Sequence, residues 1–413
     1  MQRLALMLVL LILPALLFAQ GTESKEFGIK FKGFVKTDFM LDSRQTVAVR
    51  EGHFLLYPAA EALDENGEDL NAAPHLNMLA IQTRLTGVIS APDAFGARVS
   101  GLIEGAFFGH SDGDINGFRL RHAYAKLDWA DCSLLVGQYW HPLFITEVFP
   151  DVVSFNTGVP FQPFSRNPQI RYMRKLGDFE MTLTAASQRD FTSTGPGGAS
   201  SVYLRNALLP MLNFNLKAKT KNWLVGAGVD YKTLLPRLST TGSNDKSYKS
   251  EEKISSLTMM GFAKMTAGNL TVKAEGIYGQ NLTDLLMLGG YAVKSTDAAT
   301  GIEQYTNLNT VAGWGEVVMK APDSPMTFAL FGGYTKTLGA DDPITGTIHA
   351  RGSNIDAVLR AAPRVEYQQG KVRFAAEAEY TSAGYGVTLK DGSVANAKSV
   401  SNLRLLLAAY LFF

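Results

Sequence analysis

The sequence predicts an all-β protein: a sixteen-stranded antiparallel transmembrane β-barrel with an inward-folded third loop. Three observations carry that expectation. The chain ends in an alternating strand in which Leu403, Leu405, Leu407, Ala409, Leu411 and Phe413 share one face. Sixteen period-two segments bounded by turn residues can be read along the chain. The links between them alternate long and short, as loops at one membrane face and tight turns at the other would.

Met1-Gln2-Arg3 is a short basic start, Leu4 to Phe18 is apolar around Pro14, and Ala19-Gln20 offers a small residue for cleavage. Residues 1–19 are therefore expected to be a cleaved secretory signal peptide, leaving residues 20–413 as a single barrel domain. An apolar run of about fifteen residues is short of the roughly 20 that a spanning helix needs. No Cys follows the cleavage site, which argues against a lipid anchor there.

The whole chain is 46% hydrophobic with 39 Gly, and its apolar residues are dispersed in twos, which suits strands with one apolar face. Loss of Arg3 with the leader takes the net charge from +1 to 0, and neutrality argues against a nucleic-acid partner, which needs a basic excess. The single Cys132 excludes an intrachain disulfide framework and a multi-cysteine metal site. The six histidines, at positions 53, 75, 110, 122, 141 and 349, show no ligand spacing, so no cofactor or metal is expected.

In chain order, the first strand is read over 27–41, where Phe27, Ile29, Phe31, Val35, Phe39 and Leu41 oppose Lys30, Lys32, Lys36 and Asp38. The next seven are read over 76–90, 96–108, 117–129, 132–138, 168–175, 178–188 and 209–220. Those after them are 222–234, 254–266, 269–280, 309–320, 326–337 and 353–369. The fifteenth, 371–382, sets Val372, Phe374, Ala376, Ala378 and Tyr380 against Lys371, Arg373, Glu377 and Glu379, and the sixteenth is 400–413. Charged faces are assigned to the lumen, because Arg or Lys at mid-bilayer on the lipid face costs roughly 2 to 4 kcal/mol.

Short links fall at 91–95, 130–131, 176–177, 221, 267–268, 321–325 and 370; long ones at 42–75, 109–116, 139–167, 189–208, 235–253, 281–308, 338–352 and 383–399. A barrel of roughly sixteen to eighteen strands holds an aqueous channel. The link 139–167 is the segment expected to narrow it. Its Pro142, Pro150, Pro160 and Pro163 and its aromatics, Trp140, Phe144, Phe149, Phe155, Phe161 and Phe164, suit chain packed against a wall rather than a polar external loop.

Gly137-Gln138-Tyr139-Trp140-His141-Pro142, the later run Arg166-Asn167-Pro168-Gln169-Ile170-Arg171-Tyr172, and the preceding Phe118-Arg119-Leu120-Arg121-His122-Ala123-Tyr124 resemble the DcaP-like branch of the bacterial porin superfamily. The resemblance is close over residues 117–175 and architectural elsewhere. It implies a Gram-negative outer-membrane diffusion channel, a homotrimer with the third loop folded inward, surrounded by outer-membrane lipid and lipopolysaccharide and passing small hydrophilic solutes. The acidic Pro-Glu-Phe motif of the general porins of enterobacteria is absent, so their cation preference is not carried over.

The resemblance further implies that Arg84, Arg119, Arg121, Arg171, Gln138, Trp140, Glu147, Asp151 and Arg166 line or constrict the pore. Arg119 and Arg121 alternate with Leu120 and His122 or Tyr124, which sets two guanidinium groups roughly 7 Å apart on one face. Arg84 with Gln82 and Arg171 with Gln169 would extend this into a basic ladder facing Glu147 and Asp151 on the loop. Such a wall favours anions and suits carboxylates. The alternative is that these arginines pair with Glu104, Glu180 or loop acids and brace the wall.

Two motifs imitate other chemistry. Gly109-His110-Ser111-Asp112-Gly113 fits the hydrolase nucleophile pattern but lies between two amphipathic strands instead of at a strand-to-helix elbow. The run from Asp112 starts like a calcium loop but has Ala123 where the bidentate Glu belongs. The acidic run 64–69 is read as a solvated loop, with a divalent cation shared with lipopolysaccharide as the functional alternative. No enzyme activity is expected. A structural, adhesion or docking barrel acting through its long loops is the rival to a diffusion channel.

Overall fold

The computed structural model describes residues 26–109 and 112–413. The expected signal peptide lies outside them, as do His110 and Ser111 of the hydrolase-like motif. Each of the sixteen expected segments forms a wall strand. They begin with β1 (Gly28–Asp42), β2 (His75–Leu79 and Arg84–Ser90), β3 (Arg98–Ala106), β4 (Arg119–Asp128), β5 (Cys132–Trp140) and β6 (Arg166–Leu176). β7 (Phe179–Ala186), β8 (Met211–Lys219), β9 (Trp223–Leu234), β10 (Ile254–Ala267) and β11 (Leu270–Gln280) follow. The wall ends with β12 (Glu303–Lys320), β13 (Met326–Ala340), β14 (Ile355–Gln369), β15 (Val372–Thr388) and β16 (Val394–Phe412).

Neighbouring strands are antiparallel, and β1 pairs with β16 from Phe34↔Phe412 to Asp42↔Arg404, which closes the sheet. Closure is what a hydrocarbon surround demands, since an open edge would leave peptide groups without partners. The alternation sorts the two faces as expected. Phe31, Val35 and Phe39 on β1 and Leu403, Leu405 and Leu407 on β16 are exposed outward, while Lys36, Asp38, Asp42, Asn402 and Arg404 are buried inside. On β15, Phe374 and Tyr380 face out and Glu377 and Glu379 face in.

Four features depart from simple alternation or from the expected loops. On β4 the register slips between Glu104↔His122 and Gly105↔Leu120, leaving Arg121 as an extra residue. That β-bulge turns both Arg121 and His122 inward, so His122 does not sit on the opposite face as strict alternation has it. Strand β2 breaks at residues 80–83, where Ile81 points into the interior core.

Two supposed long external loops are partly internal. In the first, Thr46–Val49 and Phe54–Pro58 form a hairpin whose Phe54, Leu55 and Leu56 are fully buried. In the link 281–308, residues 281–288 turn into the barrel and are buried throughout, before Gly289–Thr296 resumes as a strand on β12. Together with the third long loop they build an apolar core inside the barrel around Phe54, Phe108, Phe155, Phe164, Leu285 and Phe331.

Leu407 is 58% exposed on the outer face, opposite Phe39 of β1 and Ala376 of β15. Leu407→Arg is expected to destabilise the barrel by roughly 2 to 4 kcal/mol in lipid vesicles, measured by reversible denaturant titration. An inert substitution would place this face away from hydrocarbon.

Candidate functional site

The loop from Trp140 to Arg166 leaves β5, crosses the interior and returns to β6. What holds it there is a set of charged wall side chains bonded to loop peptide groups. Glu377 accepts from the Val153 and Ser154 amides at 2.8 and 3.1 Å, and Glu316 accepts from the Asp151 amide at 3.1 Å. Glu379 accepts from the Asn156 side chain at 2.9 Å, and Arg360 donates to the Val159 carbonyl at 2.6 Å. Lys36 of β1 reaches the Val153 carbonyl at 2.8 Å. Gly333 permits the loop to lie flat on β13, because a Cβ there would fall 2.4 Å from the Phe161 ring.

The residues 281–288 brace the loop from the other side. The Phe164 amide bonds the Leu285 carbonyl at 3.0 Å, and Asp284 is anchored by Lys232 of β9 and by Gln188 at 3.0 Å.

Beneath the loop, toward the short turns, lies a cavity of about 650 Å³. Its ceiling is aromatic: Trp140 stacks on Phe144 at 3.8 Å and 9°, and Phe144 on Phe149 at 5.2 Å, with Phe155 and Phe164 beside them. Its walls carry five basic residues, Arg84, Arg121, Lys320, Arg364 and Arg373, and two acidic ones, Asp151 and Glu366.

Of the residues singled out from the sequence, Arg84, Arg121, Trp140 and Asp151 line this chamber. Arg84 and Arg121 converge on Glu104, at 3.6 and 2.7 Å, and Thr86 donates to the same carboxylate at 2.9 Å. Asp151 is paired to Lys273 at 2.5 Å and is half-exposed.

The others lie elsewhere. Arg171 bonds Gln169 Oε1 at 3.0 Å and the Trp140 carbonyl at 2.7 Å, bracing the root of the loop. Gln138 donates to the Arg121 carbonyl at 3.0 Å. Glu147 is taken up by Lys217 and by Lys219 at 2.7 Å, so it supplies no free acid opposite the arginines. Glu180 meets Lys217, not an arginine.

Arg119 and Arg166 belong to a second cluster that the sequence did not suggest. Asp190, in the link after β7, takes Arg119 at 2.6 Å, Arg166 at 2.7 Å and Arg50 of the first-loop hairpin at 2.9 Å. Burial alone would raise the Asp190 carboxyl, but Arg166, Arg50 and Arg119 outweigh it and hold it well below the usual carboxylate range. Arg166 also lies over the Trp140 and Phe164 rings at 5.0 and 5.1 Å. In the acidic run, Asp64 accepts from the Asn66 and Glu68 amides and Asp69 pairs with Arg44, so these carboxylates shape the loop.

No family model matches the chain, and no curated protein sequence matches it. Solved structures do. The outer membrane channel DcaP of Acinetobacter baumannii superposes with a TM-score of 0.70 at 18% identity, covering 96% of this chain and all of that one. OmpT, an outer-membrane protein of Vibrio cholerae, gives 0.56 at 12% identity over 95% of this chain and all of its own. The same protein in a trimer form gives 0.55 at 12% over 94% of this chain and all of that one. The chain therefore has the fold expected from its resemblance to that branch, a closed sixteen-stranded barrel.

Asp190→Asn would leave the buried guanidinium groups of Arg50 and Arg166 and the partly buried one of Arg119 without their shared counter-charge. The expected loss is about 3 to 5 kcal/mol at pH 7, read from denaturant midpoints. Because the folded carboxyl is held below its unfolded value of about 3.9, its contribution is complete above that pH and declines as pH falls toward the folded value. The gap between wild type and Asp190→Asn should accordingly narrow in acid.

Proposed function

We propose that the chain is an outer-membrane porin, a passive water-filled channel for small hydrophilic solutes with a preference for anions, assembled as a homotrimer. The observation that carries this reading is the charged chamber inside a lipid-faced barrel, with five basic residues against two acidic ones in its lining. Charged side chains on the inner face and leucines on the outer one suit a wall with water inside and hydrocarbon outside. The barrel shared with a protein described as an outer membrane channel supports it, and a trimer form of OmpT supports the oligomer.

In this reading a solute diffuses down its gradient, and the protein supplies a passage and a field. The Trp140 to Arg166 loop limits the cross-section. Arg84 and Arg121 share one Glu104, so two guanidinium groups are balanced by one carboxylate and the local excess is positive. Arg84 has 22% of its side chain exposed at the chamber, while Arg121 beside it is almost fully buried. An anion entering the chamber meets fixed donors that require little reorganisation.

Purified protein in a planar bilayer should give discrete conductance steps, with a reversal potential in a salt gradient that marks anions as the more permeant ions. Absence of steps would overturn the channel, and a cation-directed potential would overturn the preference. Arg84→Gln leaves Arg121 on Glu104 and removes one chamber charge. A charge about 8 Å from a passing ion in water is worth ~0.5 kcal/mol, favourable to an anion and unfavourable to a cation, so the anion-to-cation permeability ratio should fall roughly fivefold.

A further inference from the structure

We infer that the first-loop hairpin, Thr46–Val49 with Phe54–Pro58, is a lid on the chamber, and that Phe54 at its tip determines which solutes pass. The inference rests on the channel reading and adds a second element to the inward third loop. Phe155 and Phe164 form part of the chamber ceiling. Phe54 covers both, with ring centroids at 4.7 and 4.9 Å, and meets Phe191 at 5.7 Å. Arg50 lies over Phe54, Phe108 and Phe191 at 5.2, 5.6 and 5.0 Å while it pairs with Asp190. A solute leaving the chamber past these rings must displace Phe54 or go around it.

The hairpin is built to move as a unit. Its two strands pair with each other and, among the described residues, with no wall strand. Apart from the Arg50–Asp190 pair, its polar attachments to the wall run from wall side chains to hairpin carbonyls. Arg360 donates to the Leu55 and Leu56 carbonyls at 3.0 and 3.1 Å, Arg404 to the Gly52 carbonyl at 2.8 Å, and Asn77 to the Glu51 carbonyl at 2.9 Å. Tyr385 closes the far end by donating to the Pro58 carbonyl at 2.7 Å.

Breaking these contacts leaves the barrel ladder whole. The turn itself holds Arg50 and Glu51 at φ 56° and 53°, a left-handed conformation that side chains with a Cβ disfavour, followed by Gly52 at 81°. A turn of that kind is retained where surrounding contacts over-determine it. Here Asp190 holds Arg50, Asn77 holds the Glu51 carbonyl and Arg404 holds the Gly52 carbonyl.

The test compares wild type, Phe54→Ala and Trp140→Ala by single-channel conductance and by swelling of liposomes in sugars of increasing size. Conductance follows open cross-section, so Phe54→Ala should roughly double it and admit sugars that the wild type excludes. Equal conductance and equal sugar cut-off for wild type and Phe54→Ala, with Trp140→Ala changed, would overturn the lid and leave the channel standing.

Silence from all three proteins, each folded by its electrophoretic shift on heating, would overturn the channel reading and the lid with it. If Phe54→Ala does not assemble, Tyr385→Phe carries the test, because it removes one hydroxyl from the clasp. It should raise the frequency of excursions to higher conductance, and a gating pattern identical to wild type would overturn the lid.

Discussion

Charged wall side chains bonded to loop peptide groups are the constraint on which the interior of this barrel depends. Glu316, Glu377, Glu379 and Arg360 stand on three different strands, and each is almost fully buried. A buried charge without a partner is costly, and a crossing loop has peptide groups that β-pairing does not satisfy. Each deficit answers the other. The loop lies across the lumen because the wall offers acceptors for Asp151, Val153 and Ser154 and a donor for Val159, at spacings fixed by strand register.

The same logic gives the arginines their two roles. Three arginines around Asp190 tie together the hairpin, β4 and β6, which are distant in sequence, and this cluster is structural in character. Two arginines around Glu104 stand at the chamber, Arg84 partly exposed and Arg121 buried. Bracing and lining were alternatives for one row of residues in the sequence. In the structure the row divides by the acid each arginine meets, and the pairing with Glu104 is one that the bracing alternative named.

The wall was legible in the sequence because a strand with lipid on one side and water or polar chain on the other records that difference at every second residue. Each of the sixteen segments contributes a wall strand, although the second is broken at 80–83 and the last two, Val372–Thr388 and Val394–Phe412, extend into the expected link 383–399. The interior was not legible for the same reason: loop-to-wall bonds have no period. The bulge at Arg121 adds one residue to β4 and turns His122 inward, which alternation alone cannot show. Asp190 gains its meaning from partners 24, 71 and 140 residues away. Two signals were present nonetheless. Phe54-Leu55-Leu56-Tyr57 and Leu285-Leu286-Met287-Leu288 are apolar runs inside links otherwise read as polar external loops, and both are buried. A run of that kind between two lipid-facing strands has nowhere to go except into the barrel.

That geometry separates the bonds that hold the wall from those that hold the inward elements. Ladder bonds between neighbouring strands hold the wall and do not involve the hairpin or the tip of the third loop. The two inward elements are held by different means. The third loop is clasped by several wall charges and continues directly into β5 and β6, so displacing it disturbs the sheet. The hairpin shares no ladder bond with the wall and is held by donors to its carbonyls, by aromatic contact and by the Arg50–Asp190 pair. Both inward elements thus depend on charged side chains that reach them from the wall, and Arg360, bonded to each, couples one to the other.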